Sequence, residues 1–97
     1  MGFFGDMGAI RKLYKKLESI EQDMINIEKC NQGILNPLFL SPAFSSITSN
    51  LQEMMEIVDN SSATVQNADF QFCGRKLPIR VHMLNIAEYL RQQMEDF

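Results

Sequence analysis

Tryptophan is absent from this 97-residue chain, histidine occurs once and cysteine twice. Two cysteines are too few for a disulfide framework, and with His82 they lack the closely spaced ligand pairs typical of zinc sites. No apolar run approaches the roughly 20 residues of a transmembrane helix, and no basic segment leads into an apolar one at the N-terminus. We therefore expect free thiols, a cytoplasmic location, and no metal or cofactor.

Lysine and arginine are missing from the whole middle of the chain, between Cys30 and Gly74, and the net charge is −3. This balance argues against general nucleic-acid binding, which draws most of its affinity from a basic surface. Two basic clusters, 11–16 and 75–80, still leave a small nucleic-acid-binding regulator as one alternative. Phe3 and Phe4 ahead of the first cluster leave a peripheral membrane-surface protein as another.

Catalytic patterns are missing as well. No nucleophile elbow is present, and the glycine spacing at the N-terminus lacks the strand that precedes a dinucleotide site. Glu53, Glu56 and Asp59 share a helix face, which is typical of a solvated or ion-paired surface. We expect His82 at the surface, Cys30 and Cys73 buried or half-buried, and a protein that is not an enzyme.

A regular apolar seam is the clearest feature that is present. Apolar residues recur at spacings of three and four between Asp6 and Asn31, which is the a/d pattern of a heptad repeat. The pattern predicts a first helix, with Asp6 as its N-cap. The seam consists of Ile10, Leu13, Leu17, Ile20, Met24 and Ile27.

An apolar linker and a second helix follow. Gly33 and Pro37 end the first helix. The apolar segment 31–41 should pack across the end of a bundle or against a partner, since exposed apolar patches are uncommon on monomers. Ser41-Pro42 predicts an N-cap followed by proline at the first helical position. The apolar periodicity of helix 2 continues beyond Asn60. Helix 2 could therefore end near Asn60 or near Asp69. The apolar linker carries Leu38, Phe39 and Leu40.

The segment 69–81 has two interpretations. Alternation around Cys73-Gly74 favours a β-hairpin, with Gly74 supplying a positive φ, but the turn lacks the strong Asn-Gly form. The other interpretation is helix. A last helix is predicted from Pro78 or His82 to the C-terminus.

Charge placement predicts how the first two helices pair. Arg11 and Lys15 are like charges four residues apart near the start of helix 1, and Glu53 and Glu56 lie near the end of helix 2; both are unfavourable locally. An antiparallel hairpin of helices 1 and 2 places these basic and acidic residues side by side, so that each cluster offsets the unfavourable charge of the other. In the alternative, a second copy of helix 1 pairs antiparallel with the first, and Lys16 meets Asp23.

The sequence therefore predicts one small domain, 1–97, with an all-α fold: an antiparallel helical hairpin plus a C-terminal helix. An α+β fold with a short hairpin at 69–81 is the alternative. We expect a protein–protein interaction module (an adaptor, chaperone-like or regulatory subunit) that binds another protein or dimerises as a bundle. Its expected interface is the seam, the linker residues Leu38, Phe39 and Leu40, and Met55, because adjacent Met54 and Met55 make helix 2 apolar nearly all round.

Overall fold

The computed structural model describes residues 3–95, with side chains from Gly5 onward. Its fold is mostly α-helical with one small antiparallel β-hairpin, so the predicted helical arrangement is confirmed and the hairpin of the alternative is also present. The elements in chain order are α1 (Phe3–Asn31), a 3₁₀ turn (Pro37–Phe39), α2 (Leu40–Asp59), α3 (Ala63–Gln66), β1 (Asp69–Phe72), β2 (Arg75–Pro78) and α4 (Ile79–Glu95).

The long helix α1 ends in a Schellman motif. Gly33 has a φ of +78°, a left-handed conformation that glycine adopts without a Cβ penalty. The Ile34 amide donates to the Lys29 carbonyl at 2.8 Å, and the Gly33 amide donates to the Cys30 carbonyl at 3.1 Å. The predicted stop at Gly33 is therefore confirmed. The predicted N-cap at Asp6 is wrong, because the helix already includes Phe3.

The start of α2 also lies earlier than predicted. Asn36 caps the 3₁₀ turn, its side chain accepting from the Leu38 amide at 2.9 Å, with Pro37 at the first position of that turn. The turn runs directly into α2, so Ser41 is helical and is not an N-cap. Pro42 fits in the first turn of α2, where its missing N–H would have no intrahelical partner.

The end of α2 resolves the two predicted lengths in favour of the shorter helix. The Asn60 side chain donates to the Glu56 carbonyl at 2.9 Å, and Gln66 Nε2 donates to the Val58 carbonyl at 3.1 Å. The Glu56 carbonyl also accepts the Asn60 amide at 3.1 Å, and the Gln66 side chain satisfies the Val58 carbonyl that a continuing helix would have bonded to the Ser62 amide. The apolar residue Val65, from the continuing period, is buried through the short helix α3 instead.

Helices α1 and α2 form the predicted antiparallel hairpin. Lys16 Nζ makes an ion pair with a Glu53 carboxylate oxygen. One turn further along α1, Asn50 Nδ2 donates to Ser19 Oγ at 3.1 Å. The basic half of α1 therefore lies beside the acidic end of α2, as the charge pattern predicts.

The β-hairpin packs its inner face on the helices. Phe70 and Phe72 of β1 are buried, and the Phe70 ring lies 5.0 Å from the Tyr14 ring of α1, centroid to centroid. The turn places Cys73 at φ +52° and Gly74 at φ +78°, both left-handed, which defines the two-residue type I′ connection. The packing against α1 and α4 supplies stability that a lone two-stranded hairpin lacks.

Helix α4 begins directly after β2 and runs antiparallel to α2. Arg80 near its start pairs with Asp59 at the end of α2, and Gln93 near its end accepts from Asn31 at the end of α1. Its inner face fills the core shared by the helices and the hairpin. The buried residues of α4 are Ile79, His82, Met83 and Ile86.

Cys73→Asn should stabilise the fold. Left-handed backbone costs an ordinary L-residue about 1–2 kcal/mol, and asparagine tolerates it better. We expect the free energy of unfolding in denaturant titrations to rise by about 0.5–1 kcal/mol. Cys73→Ser is the control for loss of the thiol and should give no such rise. Equal stability of the two variants would contradict the type I′ turn.

Candidate protein-interaction site

The seam of α1 lies inside the monomer. Leu13, Leu17, Ile20 and Ile27 are at most 2% exposed, and they pack in the core that α1 shares with α2. Ile10 and Met24 are half-buried and pack against the same core. A single chain therefore already covers the residues that the heptad pattern suggested for an interface.

The linker divides into a packed part and an exposed part. Leu40 is half-buried against the core, whereas Leu38 and Phe39 project from the 3₁₀ turn and are 80% and 54% exposed. Ile34 is exposed beside them, between α1 and that turn. We call Ile34, Leu38 and Phe39 the apolar tip.

An open apolar groove runs between α2 and α4. It has a volume of about 280 Å³. Met55 and Leu84 flank it and are 50% and 70% exposed. Ala87, whose side chain is a single methyl group, leaves space between them. The residues of this α2/α4 groove are Leu51, Met55, Arg80, Met83, Leu84 and Ala87.

The groove continues towards the apolar tip. A second cleft, of about 630 Å³, lies between Pro37, Phe44 and Met94, and Met94 is 68% exposed. Phe44, Thr48, Leu51 and Met55 follow one another on α2 at spacings of four, three and four, so both clefts lie along one helix face. An apolar strip thus extends along α2 and α4, interrupted at the second cleft by the polar side chains of Ser41, Ser45, Thr48 and Ser49.

The charges at the edge of this strip are already paired. Arg80 Nη2 lies 3.1 Å from Asp59 Oδ1, and Arg91 Nη1 lies 2.6 Å from Glu95 Oε1. Arg91 also bonds Glu88, and that hydrogen bond lowers the pKa of the Glu88 carboxyl. The strip therefore offers an apolar surface with little net charge at its edge.

The remaining predicted charge partners lie apart from that strip. Arg11 and Lys15 are exposed on α1, and within residues 3–95 neither belongs to an ion pair. Glu56 lines a cleft on the other side of α2 together with Lys12. Asp23 has one carboxylate oxygen, Oδ2, that is buried without a hydrogen-bond partner, which costs stability.

The predicted surface position of His82 is wrong. It is 2% exposed rather than at the surface, and its Nε2 lies 2.5 Å from the Phe70 carbonyl oxygen. A bond to a carbonyl requires a proton on Nε2, so this nitrogen is a donor here. The spacing of His82 and Met83 ahead of Ile86 could have indicated burial, because all three fall on the inward stripe of α4.

Cys73 lies near His82 and has the properties of an unactivated thiol. Both residues line a small cleft of about 140 Å³ at the hairpin turn. Partial burial raises the pKa of the Cys73 thiol, and the negative charge of Glu21 raises it further. A nucleophilic cysteine needs the opposite shift. Cys30 is buried as predicted, whereas the prediction of a buried or half-buried Cys73 is wrong: Cys73 is exposed, because it stands in the hairpin turn. Both thiols are free.

The basic clusters are partly neutralised by internal pairs. Lys16 of the first cluster pairs with Glu53, and Arg80 of the second pairs with Asp59. Arg75 and Lys76 remain exposed on β2. The side chains of Phe3 and Phe4, on which the membrane alternative rests, lie outside the described residues.

Neither a membrane-spanning helix nor a metal-binding cluster is present in the described part of the chain. Across residues 3–95, every helix is too short or too polar to cross a membrane. The same residues contain no group of three His, Cys, Asp or Glu side chains placed to hold a metal ion.

Comparison with known proteins identifies no relative of this chain. No protein-family model matches it, and neither the curated proteins nor the solved structures contain a match. Any inference about function therefore comes from the surface of the molecule itself.

Sequence reasoning missed part of the exposed apolar surface. Met55 was identified because two methionines stand side by side on α2, so that one must point outward. Met83-Leu84 on α4 carries the same signal: Met83 is buried and Leu84 is exposed. Adjacent apolar residues on a helix therefore indicate an exposed apolar side chain on α2 and on α4. They do not indicate that these two side chains lie close together.

Leu17→Ala should destabilise the monomer. The side chain is 2% exposed in the core, and such truncations cost about 2–5 kcal/mol of unfolding free energy. We expect that loss in denaturant titrations, with no change in solution molar mass. Ile25→Ala, at an exposed site on the same helix, is the control and should cost far less. A change of molar mass with unchanged stability would mean that the seam binds a second copy.

Proposed function

We propose that this protein is a non-catalytic protein-interaction module and that its binding surface is the α2/α4 groove together with the exposed apolar tip. The observation that carries the proposal is the clustering of exposed apolar side chains: Met55, Leu84 and Met94 lie along one strip. Large exposed apolar patches are uncommon on proteins that act alone, and they mark binding surfaces.

The composition of the strip supports a protein partner over other ligands. Methionine on both walls provides a flexible apolar surface that adapts to a partner. The two walls of the groove are the helices α2 and α4. Helical walls favour an occupant that is itself helical, since helices pack by ridges into grooves. The paired charges at the edge give no steering towards a highly charged ligand such as nucleic acid.

The direct test is retention of proteins on the immobilised 97-residue chain. Wild type should retain at least one protein, which includes further copies of this chain, and Leu84→Glu should lose it because a charge then enters the groove. Leu84 is 70% exposed, so this change leaves the fold intact. Circular dichroism checks that condition.

The matched control is Ile25→Glu, an apolar-to-acidic change at an exposed position of α1, away from the groove. It should retain the same proteins as wild type. Retention that is equal for all three chains would contradict the proposal. Retention that is lost in Arg11→Glu or Lys15→Glu, and falls steeply with salt, would favour the nucleic-acid alternative.

A further inference from the structure

We draw no further inference here: the strongest candidate, the open apolar groove between α2 and α4 that Met55 and Leu84 flank, carries none because nothing in the structure shows what covers it.

Discussion

Burial of the α1 seam against α2 is the constraint on which the rest of the molecule depends. Leu13, Leu17, Ile20 and Ile27 form one apolar stripe, and a stripe of this kind can be covered only once. Helix α2 covers it in the antiparallel direction, with Lys16–Glu53 and Ser19–Asn50 aligning the two helices. The apolar seam of α1 is thus covered within the chain.

That arrangement determines where the free surface lies. Helix α2 contributes Ile47, Met54 and Val58 to the core, while Met55 on its outer side faces the groove. Helix α4 packs alongside α2 at this groove and leaves Leu84 and Met94 exposed. The shared α2/α4 strip follows from two helices that bury one apolar face in the core and carry further apolar residues, Met55, Leu84 and Met94, outside it.

The helices themselves could be predicted from sequence because periodicity and local charge point to the same answer. The seam predicted α1, and the opposed charges predicted its antiparallel pairing with α2. The β-hairpin could not be decided, since its turn uses Cys73 in a left-handed conformation and depends on packing of Phe70 against Tyr14. Such long-range packing has no local sequence signal. The caps at Asp6 and Ser41 were wrong because the helices begin earlier, with Asn36 capping the preceding 3₁₀ turn.

The candidate site was harder to predict than the fold. A heptad seam marks a helix that must be covered, but it does not say whether another chain or another helix of the same chain covers it. Met55 was found from its neighbour Met54, whereas the placement of Leu84 opposite it needed the position of α4. His82 was expected in water, yet it fills the core with Nε2 on the Phe70 carbonyl, because the hairpin folds over it.

The most direct test of this account is native-state hydrogen exchange on the full chain across a range of protein concentrations. If α2 buries the seam within one chain, amides of α1 near Leu17 and Ile20 and of α2 near Ile47 and Met54 should exchange slowest. They should also remain protected in Leu84→Glu at the lowest concentration. Protection of the α1 amides that disappears on dilution would show that a second chain buries the seam, and would contradict the account.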